Sequence, residues 1–271
     1  MDINIGGYPW SGMAAELVGL MLLMGGLALY QRWRPLQPET SRKLFHVAGG
    51  LSTLAFPWIF PNAWPVVLLT LVIIPSLLAL KYMRTFKQNL GTVLYRIDRR
   101  SFGEVYFPLS VCLVFVLAHG NALLFCIPVL LLTLADPMAA LIGSRYGRLR
   151  YHISSSQKSV EGSATFLIVA FACIVIPLLL FSQLAAIAAL IIAAMVGLLV
   201  MLAEAVAWEG LDNFLIPLVG FFLLQALLPL EQPVLMVLLT LSTGLVAGIF
   251  WLTRRATIQA ARFMQQIPNS R

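Results

Sequence analysis

The chain has 271 residues, of which 60% are hydrophobic and only 11% are charged, and its formal net charge is +7. A soluble domain carries roughly 25% charged residues, so this composition excludes an ordinary water-soluble fold and predicts an integral membrane protein. The cysteines Cys112, Cys126 and Cys173 lie in apolar runs, which argues against a disulfide framework or a cysteine metal site. The first twelve residues contain no Lys or Arg, so no cleavable signal peptide is expected.

Nine apolar segments predict an all-α protein with nine membrane-spanning helices in a single domain, residues 1–271. Three are atypical: the fourth is short, the second contains His46, and the eighth, with Pro217 and Pro229, is compatible with a re-entrant segment. The predicted spans are 12–30, 44–60, 64–80, 105–118, 122–142, 163–181, 184–203, 214–230 and 233–253.

The basic residues predict the orientation in the membrane. All 18 Lys and Arg residues follow spans one, three, five or nine, so with nine spans they all lie on one side. The positive-inside rule then places the N-terminus outside and the C-terminus in the cytoplasm, with a basic tail at 254–271. The net charge is therefore explained by topology, and a nucleic-acid partner is not expected. Residues 81–104 form a cytoplasmic interfacial segment, whose spacing over 81–100 predicts an amphipathic helix.

Ionisable side chains cluster at the cytoplasmic ends of the predicted spans, where such residues are candidates for function. Asp136 lies in the last turns of the fifth span, directly before Pro137. Because proline disfavours a helical conformation in the preceding residue, the backbone is expected to loosen there and to free the carboxylate for binding. The alternative is an acid that simply reaches the headgroup layer from a helix end.

Residues 143–162 predict a cytoplasmic nucleotide-binding loop. Gly143 and Gly147 have the spacing of a helix-packing motif, but Arg145 and other polar residues lie between them. This favours a turn whose backbone N–H groups approach phosphates. The following sequence opens the sixth span, and a helix N-terminus suits a phosphate group. Its candidate phosphate-binding residues are Lys158, Ser159, Gly162 and Ser163.

Three further groups of polar residues flank this loop in the predicted arrangement. Glu161 suits the dipole of the sixth span as a first-turn acid, or holds Mg²⁺ beside Lys158. His46 lies one turn inside the second span and is either catalytic or a hydrogen-bonded structural residue. The other candidates, which topology or helix capping also explains, are Arg42, Lys43, Arg100, Ser101, Glu104, Glu204, Asp212 and Asn213.

The order and spacing of five motifs resemble the polyprenol kinase family, which includes phytol kinase and dolichol kinase. The resemblance covers residues 42–220, and its most specific part is the segment from Asp136 to Ser163. The motifs are RKLFHVAGG at 42–50, RRSFGEVYFPL at 99–109, DPMAALIGSRYG at 136–147, KSVEGS at 158–163, and Glu204 followed by LDNFLIPL at 211–218.

The resemblance implies a kinase that transfers the γ-phosphoryl group of CTP to an isoprenoid alcohol. The alcohol's tail would stay in the bilayer of the plasma (inner) membrane or another internal membrane, with the active site facing the cytoplasm. Arg42, Lys43, Arg145, Lys158 and the glycine turn would bind phosphates. Mg²⁺ would be held by some of Asp136, Glu161 and Asp212, and Asp136 or Asp212 would accept the alcohol proton. His46 completes the candidate catalytic residues.

Three other functions are compatible with parts of the sequence. A CTP:phosphatidate cytidylyltransferase shares the central segment, but its characteristic basic and acidic C-terminal signature has no match in AEAVAWEGLDNFLIPL. A CTP-dependent diacylglycerol kinase has related motifs. A transporter would carry its charges near the bilayer midplane on repeated, broken helices, whereas here the charges lie at one surface and no internal repeat is visible.

Overall fold

The computed structural model describes residues 9–34, 36–83, 101–153 and 156–266. These residues are almost entirely helical, in agreement with the predicted all-α membrane class. The helices are α1 (Pro9–Trp33), α2 (Pro38–Thr53), α3 (Phe56–Ile59), α4 (Trp64–Tyr82), α5 (Gly103–Ala118), α6 (Ala122–Leu130), α7 (Asp136–Tyr146), α8 (Val160–Phe181), α9 (Ala186–Val206), α10 (Asp212–Leu227) and α11 (Gln232–Gln266).

Five helices in the described ranges are long and apolar enough to cross a membrane: α1, α4, the combined α6–α7 segment Ala122–Tyr146, α8 and α9. Shorter apolar helices are Gly103–Ala118, Asp212–Leu227 and Gln232–Gly248. The eighth predicted span thus corresponds to one continuous helix, α10. The predicted amphipathic helix falls mainly on residues 84–100, which lie outside the described residues. The predicted basic tail begins within α11.

The predicted span at 44–60 is not a single helix, because it is divided between α2 and the one-turn helix α3. Pro57 has no N–H group to offer the carbonyl of Thr53, and its ring would approach that carbonyl. The Thr53 hydroxyl instead donates to the Gly50 carbonyl at 2.8 Å. Helix α2 therefore ends at Thr53 for two reasons. The Thr53 side chain binds a carbonyl group of the preceding turn, and a proline follows four residues later.

A π-helical turn, Leu131–Ala135, joins α6 to α7. Pro137 accounts for it, since its ring cannot be accommodated beside the Thr133 carbonyl of a regular α-helix, and a wider turn relieves this contact. The sequence predicted that Asp136 itself would leave the helical conformation, which is wrong. Asp136 has φ −61° and ψ −51°, so the irregular backbone lies one turn earlier.

A short antiparallel hairpin connects α7 to α8 and was not predicted from the sequence. Its strands are β1 (Arg150–Ile153) and β2 (Ser156–Ser159), with Tyr151 opposite Lys158. The segment 143–162 is therefore not a continuous loop, because it contains the end of α7, the hairpin and the start of α8. Lys158 belongs to a strand and not to the first turn of a helix.

Two groups of buried apolar side chains form the core. One lies among α6 to α10 and includes Phe166, Ile174 and Ile192, all fully buried. The other lies among α1 and α3 to α6, where Phe56 and Phe125 stack with ring centroids 6.4 Å apart. The helices between these groups, α2 and α6–α7, meet at the π-helical turn. A Cβ atom at Gly50 of α2 would lie 2.1 Å from the Thr133 hydroxyl oxygen.

Replacing Gly50 should therefore disturb this helix contact. We expect Gly50→Val to lower the melting temperature of the detergent-solubilised protein, because overpacking of a tight contact costs about 1–3 kcal/mol. Gly19→Ala is the control, since no atom of the described residues lies within 4 Å of the added carbon and alanine is the better helix former. An unchanged melting temperature for Gly50→Val would contradict the tight approach of α2 to the π-helical turn.

Candidate functional site

A cavity of about 1320 Å³ lies among α1, α2, α4, α5 and the start of α10. Most of its wall is apolar, with Leu20, Met24, Phe56, Leu69 and Val111 among the lining side chains. One end is charged, because the first turns of α2, α5 and α10 and the last turn of α4 meet there. The charged residues that line this end include Arg42, Lys43, Lys81, Glu104 and Asp212. Such a cavity suits a molecule with a polar head and an apolar tail.

Asp136 does not present the free carboxylate that the sequence predicted. Its Oδ2 lies 2.5 Å from Nζ of Lys43, and the two side chains are only 5% and 7% exposed. The pair joins the first turn of α7 to the N-terminal half of α2. Because a buried charge is costly without a partner, each of these residues supplies the counter-charge that the other needs.

Lys158 forms a second ion pair, with Glu204 in the last turn of α9. The Lys158 Nζ lies 2.6 Å from Oε1 of Glu204 and also donates to the Glu204 backbone carbonyl. The side chains are 13% and 9% exposed. This contact makes Glu204 the counter-charge of Lys158. It also fixes strand β2 over the end of α9.

Asp212 lines the charged end of the cavity and is half-buried. Within the described ranges it forms no salt bridge, and its Oδ1 accepts a hydrogen bond from its neighbour's backbone N–H at 3.0 Å. It interacts electrostatically with Asp136, Lys43 and Lys158, so both ion pairs lie close to it. We refer to Arg42, Lys43, Asp136, Lys158, Glu204 and Asp212 as the charged cluster. Three of these residues are basic and three are acidic.

The connection from α9 to α10 positions Asp212. Gly210 adopts φ +87°, and a Cβ atom there would lie 2.5 Å from the backbone nitrogen of Gly103. The Asn213 side chain donates to the Gly103 carbonyl at 2.8 Å. Asn213 is therefore not an N-cap, which was the alternative that the sequence left open, but a bridge that joins the start of α10 to the start of α5.

His46 satisfies a backbone group that the π-helical turn leaves without a partner. In a π-helix the Leu132 carbonyl would accept from residue 137, but Pro137 has no N–H group. The Nε2–H of His46 donates to this carbonyl at 3.0 Å, and the ring packs edge-on against Phe107 at 4.6 Å. The geometry favours the structural alternative for His46 over a catalytic one.

The glycines of the predicted phosphate turn serve helix packing in this structure. Gly143 lies inside α7, and a Cβ atom there would be 3.3 Å from the Cα of Gly162 in α8. Gly147 ends α7, where a Cβ atom would lie 2.6 Å from the Ser159 hydroxyl oxygen. The prediction of a turn at Gly143 is wrong, since α7 continues through this residue. The polar residues between the two glycines are exposed and face away from α8, so they are compatible with close packing of the two helices.

The first turn of α8 is occupied by contacts within the protein. The Ser159 hydroxyl caps α8 by accepting from the Gly162 N–H at 3.1 Å. The Glu161 carboxylate accepts from the backbone N–H groups of Arg148 and Leu149, at 3.0 and 3.2 Å. Glu161 therefore orders the end of α7 and does not join the other acids. No group of three metal-ligating side chains converges anywhere in the part of the chain that is described.

The remaining predicted residues within the described ranges make contacts outside the charged cluster. Ser163 and the Tyr151 hydroxyl are 2.7 Å apart, and burial raises the pKa of Tyr151, so this phenol stays neutral. Arg145 is exposed and stacks on Tyr146. Glu104 pairs with Lys81 at 2.5 Å, and the Ser101 carbonyl accepts from the same lysine. Arg100 lies outside the described residues.

Mg²⁺ fits two of the three predicted ligands. Asp136 and Asp212 interact electrostatically as like charges, an arrangement that a divalent cation would stabilise. Magnesium commonly uses one or two carboxylates together with phosphate oxygens and water. Glu161 does not fit, because both of its oxygen atoms are turned toward backbone N–H groups.

Sequence reasoning missed acids that line the cavity, among them Glu16 of α1. Its Oε1 accepts a hydrogen bond from the Ser52 hydroxyl at 2.7 Å. The signal was present, since an acid within an apolar helix of this length is unusual. It was overlooked because the polar residues considered were those at the opposite, basic side of the membrane.

The ion pair between Lys43 and Asp136 can be tested by a double-mutant cycle. Lys43→Met or Asp136→Leu alone should destabilise the protein by about 3–5 kcal/mol, because each leaves one buried charge unpaired. The combined variant should recover most of the lost melting temperature in detergent. Arg145→Met, at an exposed position, is the control. Single variants that melt like the unaltered protein would exclude a buried pair.

Comparison with known proteins agrees with the motifs. The chain is 27% identical over 209 residues to a protein named phytol kinase from Synechocystis sp., and the match covers 76% of this chain and 86% of the relative. No family model matches the chain. No solved structure matches it either. The similarity to a phytol kinase supports a lipid-alcohol kinase at the level of the family, and it confirms the predicted resemblance to a phytol and polyprenol kinase-like family.

Proposed function

We propose that the protein transfers the γ-phosphoryl group of CTP to the hydroxyl group of an isoprenoid alcohol such as phytol or geranylgeraniol. The observation that carries this proposal is the cavity, which combines a long apolar wall with a charged end that contains Asp212. The similarity to a protein named phytol kinase supports the same class of acceptor. The alcohol's tail would lie along α1, α2 and α4, and its hydroxyl group would reach the charged end.

Three basic side chains would neutralise the nucleotide's phosphates. The Arg42 guanidinium pairs with Glu39 at 2.6 Å, while its Nε atom is buried without a hydrogen-bond partner among the described residues. Lys43 and Lys158 are held by carboxylates, and phosphate oxygens would compete with those carboxylates for the ammonium groups. Phosphoryl transfer depends mainly on such charge neutralisation and on alignment of the reacting groups.

Asp212 is the best-placed general base. In the reaction the alcohol oxygen forms a bond to the γ-phosphorus, the bond from that phosphorus to the β–γ bridging oxygen breaks, and CDP leaves. The proton of the hydroxyl group passes to the Asp212 carboxylate. Asp136 is less suitable, because Lys43 already occupies its carboxylate. Mg²⁺ would be held by the oxygen atoms of Asp136 and Asp212 that the Lys43 contact and the proton transfer leave available, and it would neutralise charge on the phosphates.

We further propose nine membrane crossings, with the N-terminus outside and the charged cluster at the cytoplasmic face of the plasma membrane or another internal membrane. In this arrangement α2 and α3 together make the second crossing. Support comes from the described basic residues of α2, α4 and β2, since Lys43, Lys81 and Lys158 lie at the same end of the helical bundle as Asp212. The nucleotide would then enter from the side that contains CTP.

The activity can be tested directly with purified protein, Mg²⁺ and γ-labelled CTP or ATP. The acceptors would be phytol, geranylgeraniol, a long polyprenol, diacylglycerol and phosphatidate. We expect CDP and a labelled isoprenyl monophosphate. Pyrophosphate with a CDP-lipid would show a cytidylyltransferase instead, and transfer to diacylglycerol alone would show the wrong acceptor class.

The assignment of Asp212 predicts a selective loss of turnover. Asp212→Asn keeps the shape and the hydrogen bond to the backbone, so the melting temperature should change little. Removal of a general base should lower kcat about 10²–10⁴-fold with a small effect on KM. Glu231→Gln, an exposed acid beyond the other end of α10, should leave both constants unchanged. A near-normal kcat for Asp212→Asn would remove Asp212 from the reaction.

A further inference from the structure

We propose that the cavity opens sideways into the bilayer between α1 and α4, and that the isoprenoid alcohol enters through this lateral opening. Its rim residues are Met21 of α1 and Val72 and Ser76 of α4, all of which line the cavity. The inference rests on the proposed function, because it concerns the route by which the acceptor of that reaction reaches the cavity. It gives the two substrates separate entrances.

The first observation is the exposure of the rim residues. Lining side chains deeper in the cavity, such as Met24, Val66 and Leu69, are buried. Met21 and Val72 line the same cavity but are 71% and 43% exposed. The other lining residues of α1 and α4, apart from the exposed Ser76, are buried or half-buried. A side chain that is part of the wall and is also exposed lies where the wall ends.

The second observation is the order of the helices around the cavity. On α1, Leu20 faces α2, where a Cβ atom at Gly49 would lie 3.5 Å from it. Met21 is turned about 100° away from Leu20 around the helix axis. On α4, Thr70 contacts Cys112 of α5, and the other two rim residues lie at the opposite margin of the lining face. The gap in the wall is therefore between α1 and α4.

The third observation is that the rim residues of the two helices lie at the same level. Trp10 and Trp64 pack edge-on near the starts of α1 and α4, with ring centroids 5.3 Å apart. Both helices run from there toward the charged end, because the last turn of α1 is hydrogen-bonded to the first turn of α2 and the last turn of α4 lines that end. Met21 follows Trp10 by about 16 Å, and Val72 and Ser76 follow Trp64 by about 12 and 18 Å.

The chemistry of the acceptor favours this route. Transfer of each methylene group from hydrocarbon to water is unfavourable, so a long isoprenoid tail stays in the bilayer. Entry through the charged end would take the tail past water and paired charges. Passage between two apolar helices keeps the tail in hydrocarbon from the bilayer to the cavity, and only the hydroxyl group then meets the charged end.

The charged end has an entrance of its own. Gln157 of β2 and Glu209 in the turn before α10 line the cavity there and are exposed, and both are polar. This entrance suits the nucleotide. Lys81 follows Ser76 by five residues, which is about 8 Å along α4. An alcohol in the lateral opening therefore has its hydroxyl group close to the charged end, and neither substrate has to pass the other.

The experiment narrows the lateral opening with two large aromatic side chains, Met21→Trp combined with Val72→Trp. Purified protein in lipid nanodiscs is mixed with a geranylgeraniol analogue that carries a photoreactive diazirine in its tail, and flashes at increasing times measure how fast the cavity fills. Filling should slow about tenfold, the effect of an added barrier of about 1.4 kcal/mol. The final extent of labelling should change little, because an entrance sets the rates of entry and exit and not the affinity.

The matched control is Leu22→Trp combined with Leu71→Trp. These residues are direct neighbours of the rim residues on the same helices and are 71% and 64% exposed, but they do not line the cavity. The control should fill at the rate of the unaltered protein. Both double variants should keep the melting temperature of the unaltered protein in detergent, so that slow filling reports the opening and not unfolding.

Equal filling rates in the rim variant and the control would overturn the inference. A lower extent of labelling at an unchanged rate would also overturn it, because the rim residues would then belong to the binding wall. Labelling that avoids α1, α2 and α4 in the unaltered protein would have the same consequence. Filling does not require phosphoryl transfer. If the rim variant fills slowly but the unaltered protein phosphorylates no isoprenoid alcohol, the proposed reaction fails and the lateral opening stands.

Discussion

The buried ion pair between Lys43 and Asp136 determines how α2 meets the interrupted helix α6–α7. It does not act alone, because Lys43, His46 and Gly50 are spaced three and four residues apart and share one face of α2. Lys43 binds the Asp136 carboxylate, His46 binds the Leu132 carbonyl, and Gly50 lets the backbone approach the hydroxyl of Thr133. In a membrane helix bundle, such polar contacts and small residues provide much of the specificity of packing.

A single proline connects this contact to the site. Pro137 removes one backbone donor and forces the π-helical turn, which leaves the Leu132 carbonyl for His46 and places Asp136 at the start of α7. With α2 held against this turn, the Arg42 side chain and the apolar residues of α2 line the cavity. The same backbone irregularity thus supports both the charged end and the tail cavity of the proposed kinase.

The sequence identified most residues of the site but not their partners. Lys43, Asp136, Lys158, Glu204 and Asp212 were all candidates, because charges are expensive near the membrane and stand out in an apolar chain. Which lysine pairs with which acid could not be predicted, since the partners are 46 to 93 residues apart in the chain. A spacing pattern describes one helix at a time and contains no information about contacts between helices.

By itself, the sequence determined the membrane class, the approximate helices and the family resemblance, because long apolar runs and local motifs are properties of contiguous residues. Only the tertiary structure decided that Gly143 packs against Gly162, that Glu161 binds backbone N–H groups, and that Asp212, unlike Asp136 and Glu204, has no lysine partner within the described residues. It also decided that Glu16 faces the cavity. These outcomes depend on which helices become neighbours, and that is set by packing and by paired charges across the whole chain.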